Sequence, residues 1–252
     1  MSRFLVILCL AAALALAAGG AALADSFVGT PAAETLTGTA GPDQVFAEDG
    51  DDTLLGLAGN DYLEAGPGND TIDAATGADL VIAGTGDDVV TLGAGADVTY
   101  AGPGADRITG DGGNDEIFGQ SGDDTITGGT GNDAIFAGTG ADNVDGGPGR
   151  DTIRSDGDGA VLAGGTGNDQ IFARGIGVQA GGGPGADTIV TGPGADRVSG
   201  GAGVDSISTG DGDDQIDSRD GRRDSVNCGA GNDRVRADAR DSLTGCETVK
   251  LK

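Results

Sequence analysis

The chain has 252 residues, of which 52 are glycine and 3% are aromatic, with no histidine or tryptophan. A globule with a thick apolar core is hard to build from this composition, which leaves a disordered chain or a repeat structure with a thin core. The net charge of -27 disfavours nucleic acid as a partner, because phosphate would be repelled, and favours cations.

The segment 1–24 has the features of a secretory signal peptide. Arg3 provides a basic start, residues 4–18 form an apolar run that is short for a membrane span, and a small-x-small cleavage pattern ends at Ala24. A retained membrane anchor is the alternative. Cys9 lies within the apolar run and not at its end, which argues against a lipoprotein anchor. We therefore expect a secreted, extracellular mature chain that begins after Ala24.

A nonapeptide repeat fills residues 29–217 without insertion or deletion and gives 21 units. The fourth place is Gly in 18 units, the sixth is Asp in 18, and the eighth is Leu, Ile or Val in 19. All seven prolines fall at third or fifth places, outside places seven to nine. Disordered glycine-rich sequence has no such phase, so the repeat favours a solenoid.

Each place in the unit has a structural interpretation. Glycine at the second and fourth places permits a positive φ and a close approach of backbones. Places seven to nine are expected to form a short strand whose eighth side chain points inward. Because a turn and a strand reverse the chain, two units make one coil, and the strands stack in parallel. The 21 units predict 10.5 coils around a thin double file of Leu, Ile and Val.

Stacking in coils of two units sorts the sixth-place aspartates into two rows, one on each edge of the roll. The first row is Asp43, Asp61, Asp79, Asp97, Asp115, Asp133, Asp151, Asp169, Asp187 and Asp205. The second row is Asp52, Asp70, Asp88, Asp106, Asp124, Asp142, Asp196 and Asp214, with Glu34 at its start. Ala160 and Val178 interrupt the second row in successive coils.

Rows of stacked carboxylates call for a cation. Two unit charges about 4.8 Å apart repel by roughly 3.5 kcal/mol at an effective dielectric constant of ~20. Calcium takes roughly six to eight oxygen ligands, magnesium prefers a stricter octahedron, and zinc prefers nitrogen or sulfur. With no histidine in the chain, calcium is the predicted ion, with about 15 sites between neighbouring aspartates. The alternative is a disordered chain that its carboxylates keep in solution.

The units resemble the RTX (repeats-in-toxin, haemolysin-type) nonapeptide, Gly-Gly-x-Gly-x-Asp-x-apolar-x. The segments 128–136, Gly-Gly-Thr-Gly-Asn-Asp-Ala-Ile-Phe, and 164–172 match every place, and the resemblance covers residues 29–217. It implies an all-β, right-handed parallel β-roll with calcium held between successive turns on each edge. By the resemblance, each ion takes sixth-place carboxylates and turn carbonyls from two turns that lie one coil apart.

After Asp217 the period slips by one residue, and we expect a small cap over residues 218–252. Cys228 and Cys246 are an even pair once Cys9 is removed with the leader, which predicts a disulfide in an oxidising compartment. Eight of the 14 basic residues lie in this segment. They are interpreted either as part of a charge-balanced cap over the last strand edge or as a docking patch for acidic polymers.

One outer face is predicted to carry an aromatic column, whereas the opposite face carries mostly threonine. The ninth places after the first row include Phe46, Tyr100, Phe118, Phe136 and Phe172. These rings are interpreted either as a cover that stacks on the sheet or as a docking stripe for a cell-surface or protein partner.

The function that fits these features is a secreted calcium-binding module that folds when it meets calcium and has a structural or interaction role at or outside the cell surface. An adhesin, an ice-binding rod or an accessory module of a secreted enzyme is the alternative. The third places of the first row are irregular, which disfavours ice binding. The sequence has no histidine base, nucleophile motif or cofactor loop, so we expect no catalysis.

Overall fold

The computed structural model describes residues 24–251, and the predicted signal peptide lies outside this range except for Ala24. The described residues form 26 β-strands in two parallel sheets of 13 strands each. This part of the chain includes no helix that could cross a bilayer.

Odd-numbered strands form sheet A and even-numbered strands form sheet B. Sheet A contains β1 (Asp25–Val28), β3 (Asp43–Phe46), β5 (Tyr62–Pro67), β7 (Leu80–Thr85), β9 (Val98–Pro103), β11 (Glu116–Ser121), β13 (Ala134–Thr139), β15 (Thr152–Ser155), β17 (Gln170–Ala173), β19 (Thr188–Val190), β21 (Ser206–Ser208), β23 (Ser225–Asn227) and β25 (Ser242–Thr244). Sheet B contains β2 (Thr35–Thr37), β4 (Thr53–Leu55), β6 (Thr71–Asp73), β8 (Val89–Ala94), β10 (Arg107–Gly112), β12 (Thr125–Thr127), β14 (Asn143–Asp145), β16 (Val161–Ala163), β18 (Gln179–Pro184), β20 (Arg197–Ala202), β22 (Gln215–Asp217), β24 (Arg234–Ala237) and β26 (Thr248–Leu251).

Neighbouring strands within a sheet are one coil apart in the chain. Ile117 pairs with Ile135 in sheet A and Ile108 pairs with Ile126 in sheet B, in each case with the eighth place two units further along. The predicted parallel solenoid with two units per coil is therefore confirmed. Many strands are twice as long as the three places expected, because pairing continues into the first half of the following turn.

The core is a file of eighth-place side chains on each sheet, as predicted, and it is wider than the sequence indicated. Leu54, Ile117 and Ile135 are fully buried. First-place residues such as Ala47 and Leu92 are buried as well, because the chain re-enters the interior as each turn begins. The interior therefore holds two apolar layers per half coil.

Successive turns stack so closely that glycine is required in them. Gly77 has a φ of 150°, and a Cβ added to it would lie 1.5 Å from the carbonyl oxygen of Gly59 in the preceding coil. No side chain fits at that separation, so the fourth place tolerates little except glycine.

The roll continues through the segment that the sequence assigned to a cap. Ser206 pairs with Ser225 and Gln215 with Arg234, so that one extra residue separates the partners in this coil. The extra residue is absorbed in a turn where Gly221 adopts a φ of 87° in open space. The expected 10.5 coils are thus too few, since the solenoid has about 13 turns.

The predicted disulfide is present near the end of the chain. Cys228 and Cys246 are bonded, with their Cα atoms 5.3 Å apart. Cys228 is fully buried and joins the apolar core. The bond ties the last coil to the one before it, and the cap function of this segment stays a prediction.

Candidate metal sites

Of the 18 aspartates predicted to bind metal, 17 lie at the end of a turn directly before a strand, Asp43 is the first residue of β3, and none is more than 3% exposed. The stacking of coils brings each one beside the sixth-place residue of the next coil, which is again an aspartate except after Asp142, where Ala160 follows, so the two rows run along the two edges of the roll. Burying so many carboxylates is costly unless they are paired or bound to metal.

One oxygen of each carboxylate belongs to a ladder along the row. The backbone N–H of Asp61 donates to Oδ1 of Asp79 at 2.8 Å, and that of Asp115 donates to Oδ1 of Asp133 at 2.9 Å. The same contact recurs in nearly every coil of both rows. It fixes the side chain so that the second oxygen points in a constant direction.

The second oxygen, Oδ2, has no hydrogen-bond partner in 16 of the 18 predicted aspartates, although it is buried. The two exceptions are Asp43, which accepts the backbone N–H of Thr39 at 2.6 Å, and Asp142, which accepts the hydroxyl of Ser155 at 3.3 Å. A regular file of buried, unpaired anionic oxygens needs a cation to compensate for the lost hydration.

The pKa values of the row aspartates show what their burial costs. Burial raises the pKa of Asp88, Asp115 and Asp124 to about 7, and repulsion by neighbouring carboxylates adds to it. The N–H donated by the preceding row member lowers the pKa in part. The loss of hydration on burial therefore raises these pKa values more than repulsion between neighbouring carboxylates does, although only the repulsion was considered in the sequence analysis.

Backbone carbonyls converge on the same points as the unpaired oxygens. A Cβ added to Gly128 would lie 2.7 Å from Oδ2 of Asp133 and 2.5 Å from the carbonyl oxygen of Gly146 in the next coil. Similar paired approaches occur at Gly119 and Gly164. At these first-place glycines a carboxylate oxygen and a carbonyl oxygen of two coils therefore lie close to one point, whereas Ala47 and Leu92 fill the first place of other units with a side chain.

The donor set is made only of oxygen atoms. Across residues 24–251, no three acidic, histidine or cysteine side chains form a metal-binding group. Two row carboxylates with turn carbonyls would therefore form each site, and calcium accepts this mixture readily. The residues present fit calcium better than a metal that prefers nitrogen or sulfur.

Two further aspartates, Asp224 and Asp233, extend the rows and were not among the predicted ligands. The N–H of Asp205 donates to Oδ1 of Asp224, and that of Asp214 donates to Oδ1 of Asp233, both at 2.9 Å. Oδ2 of Asp224 and of Asp233 is buried and unpaired like the others. Both aspartates keep the Asp-x-Val spacing of the repeat. The inserted residue shifts them out of the strict nine-residue count, so a fixed frame does not find them.

The interruption of the second row is filled with apolar groups. Ala160 and Val178 are fully buried where carboxylates would otherwise lie. Positive φ values shift to Gly159 and Gly177, one place later than usual. The strands still pair in the regular register of the roll, as predicted, since Leu162 lies opposite Ala180.

A second ladder runs outside the first and was also missed. Fifth-place Asn and Asp side chains accept the backbone N–H of the fifth place one coil later, as Asn114 does from Asn132 at 2.7 Å. This ladder is exposed to solvent, and it explains why Asn-Asp is a frequent pair in the turns.

The aromatic column forms a stack on the outer face of sheet A. The rings of Tyr100, Phe118 and Phe136 lie parallel, with centroids 4.7 and 4.8 Å apart. The guanidinium of Arg154 lies between Phe136 and Phe172, 5.5 Å from each ring centroid. Phe46 instead contacts Tyr62 in a tilted arrangement.

The basic C-terminal residues only partly pair with acidic ones. Arg219 forms an ion pair with Asp217 at 2.6 Å, whereas Arg234, Arg236 and Lys250 lie on β24 and β26 at the end of sheet B. Neither the charge-balanced cap nor the docking patch is favoured by these contacts alone.

Two comparisons with known proteins bear on this geometry. No curated protein matches the chain, whereas one family model does. The profile of the RTX calcium-binding nonapeptide repeat (4 copies) matches residues 28–63, 64–99, 100–135, 118–153, 155–175 and 181–216. These matches cover most of the two rows of buried aspartates. The chain therefore belongs to the RTX calcium-binding nonapeptide repeat family.

Proposed function

We propose that this chain is a secreted protein that folds when it binds calcium outside the cell and then serves as a structural or interaction module. The observation that carries the proposal is the file of buried, unpaired Oδ2 atoms along both edges. Without a cation, each coil would bury anionic oxygens that water solvates in the unfolded chain. The predicted signal peptide supports secretion into a compartment where calcium is abundant.

The number of sites follows from the pairs of adjacent aspartates. The sequence predicts 15 pairs, and the two pairs that end at Asp224 and Asp233 raise the proposed number to 17. Asp142 and Asp196 bound a gap of two turns that would hold no ion, because Ala160 and Val178 occupy that edge.

The test compares the chain with and without calcium. The protein is expressed with its leader, recovered from the medium, and its first residue identified. In excess chelator its far-UV circular dichroism should be that of a largely unfolded chain, and millimolar calcium should restore the β signal. Magnesium at equal concentration should do much less, because it resists a carbonyl-rich shell.

A well-folded spectrum in chelator would contradict calcium-dependent folding. Calcium binding measured by titration calorimetry on the same sample should approach the proposed number of sites. A stoichiometry of only a few ions would show that most of the row does not bind metal.

Catalysis is not part of the proposed function. The row carboxylates are engaged in the ladder, and no pairing of a nucleophile with a base is part of the candidate site. An adhesin or an accessory module of a secreted enzyme is compatible with the same calcium-dependent roll.

A further inference from the structure

The ninth-place column on the outer face of sheet A is mainly apolar over ten successive strands, β1 to β19, with Glu64 and Arg154 as its charged members, and it is polar beyond them. Its ninth-place column reads Val28, Phe46, Glu64, Ile82, Tyr100, Phe118, Phe136, Arg154, Phe172 and Val190, and continues with Ser208, Asn227 and Thr244. Val28, Tyr100 and Val190 are exposed. A mainly apolar column on the surface of a chain with a net charge of -27 is a candidate interface.

Aromatic rings stack at the centre of this face. The ring planes of Tyr100 and Phe118 differ by 4°, and those of Phe118 and Phe136 by 8°. The three rings therefore form one ordered stack over β9, β11 and β13.

The column is self-complementary about a line between β9 and β11. The line runs parallel to the strands. A two-fold rotation about it places a second copy face to face with the first, with the coils in reverse order and each ninth place opposite another ninth place. It pairs Tyr100 with Phe118, Ile82 with Phe136, Glu64 with Arg154, Phe46 with Phe172, and Val28 with Val190.

The seventh-place column of the same strands obeys the same symmetry. The pairs are Ser26 with Thr188, Gln44 with Gln170, Tyr62 with Thr152, Leu80 with Ala134, and Val98 with Glu116. Four of these five pairs match in polarity, and the pair of Val98 with Glu116 is the exception. A two-fold interface requires that a patch complement itself in this way.

We propose that this face binds a second copy of the chain, in a two-fold dimer whose solenoid axes run antiparallel. The apolar column ends at Val28 on one side and at Val190 on the other, and the rotation line passes through its centre. The stacked aromatic rings thus lie at the middle of the interface, where buried anchors contribute most.

The single opposite-charge pair of the ninth-place column decides between the two possible orientations. Arg154 is fixed between two rings and forms no ion pair with any carboxylate of the described residues. Glu64 is oriented by the hydroxyl of Tyr62, which donates to Oε2 at 2.6 Å. The antiparallel dimer brings Glu64 of each copy to Arg154 of the other, whereas parallel copies would oppose Arg154 to Arg154.

The size of the face indicates modest affinity. Ten strands at about 4.8 Å extend over roughly 45 Å, and two columns of side chains give a strip that buries on the order of 1,000 Å² in total, at the lower limit for a specific interface. The dimer rests on the proposed function, because the face exists only in the folded, calcium-loaded chain.

Sedimentation velocity of the mature chain in saturating calcium tests the proposal, at concentrations from about 1 to about 100 µM. Glu64→Arg and Arg154→Glu should each weaken association by about tenfold or more, because like charges then face each other twice. The double charge swap should restore the dimer, and so should an equimolar mixture of the two single variants. Arg107→Glu, on the outer face of sheet B, is the matched control and should leave association unchanged.

Circular dichroism of every sample separates this proposal from the previous one. A monomer that is folded in calcium overturns the interface and leaves calcium-dependent folding intact. A chain that stays unfolded in calcium overturns both. A wild-type dimer that the double charge swap fails to restore overturns the antiparallel register.

Discussion

A row aspartate has two tasks, one for each carboxylate oxygen. Oδ1 accepts a backbone N–H and could be replaced by the amide oxygen of asparagine, whereas the buried Oδ2 is useful only as an anionic ligand. Ala160 and Val178 lack both oxygens, yet their strands still pair. The ladder is therefore dispensable for stacking, and the sixth-place aspartate is best explained by the metal.

Thr99 provides a test of the core at the residue scale. It occupies an eighth place of sheet A between Val81 and Ile117, it is fully buried, and its hydroxyl has no partner. Thr99→Val keeps the shape and removes the unpaired hydroxyl, so we expect stability to rise by about 1 kcal/mol. Thermal unfolding in saturating calcium measures it, with Thr109→Val, on the outer face of sheet B, as the control.

Thr109→Val should change the midpoint little, because that side chain is only half-buried and surface substitutions usually stay within roughly ±0.5 kcal/mol. A lower midpoint for Thr99→Val would show that its hydroxyl makes a stabilising contact, such as one to a buried water.

At the scale of elements, the roll is a stack of turns that are secured on two edges. Over most of its length both edges carry aspartates, so each coil is held by two rows. Between Asp142 and Asp196 one edge is apolar, and the coils there depend on the first row together with buried side chains such as Ile171. This makes the segment the one most sensitive to loss of an ion from the first row.

Asp115 and Asp169 form a matched pair for testing this dependence. Each accepts an N–H at Oδ1, at 3.0 Å and 2.8 Å, and each has an unpaired Oδ2. Asp169→Ala should raise the calcium concentration at the folding midpoint more than Asp115→Ala does, because only the latter keeps an intact opposite row. Calcium titrations followed by circular dichroism measure both midpoints.

Equal shifts for the two variants, or a larger one for Asp115→Ala, would show that the rows act independently. The same result would imply that the buried Ala160 and Val178 stabilise their turns as well as an ion does.

At the scale of the whole molecule, folding joins a thin core to a large number of carboxylates. The eighth-place files bury one branched side chain per half coil, and short repeat cores stabilise a chain weakly without additional links. The carboxylates oppose folding when they are ionised and support it when they bind a cation. Calcium is thus expected to act cooperatively along the stack, because each ion joins neighbouring coils.

Protons should partly replace calcium in this role. Burial raises the pKa of Asp151 to about 7 and of Asp79 and Asp187 to about 6, from 3.8 in the unfolded chain. A raised pKa means that the folded chain binds protons more tightly, so stability increases as the pH falls from about 7 towards about 4. The metal-free chain should therefore gain β signal between about pH 8 and about pH 5, as measured by circular dichroism in chelator.

A metal-free spectrum that stays unfolded over this range, or that loses β signal on acidification, would contradict the expectation. At a pH above these pKa values, calcium alone should restore the fold.

The sequence determined the periodic features of this protein, because they repeat in register with the coil. The nonapeptide phase is sufficient to predict two parallel sheets, inward eighth places such as Ile135, two rows of aspartates and the gap at Ala160 and Val178. The pairing of Cys228 with Cys246 followed from their number alone. These features depend on local geometry that every turn repeats, so one unit predicts the next.

The tertiary structure decided what depends on contacts between coils. Only stacking shows that Oδ1 is satisfied while Oδ2 is not, since both oxygens are equivalent in the sequence. Pairing between strands carries the rows on to Asp224 and Asp233, because a turn can absorb an extra residue that breaks a linear count. The aromatic stack on sheet A and the correspondence of Glu64 with Arg154 arise from residues that are distant in the chain, which only the stacked coils bring onto one face.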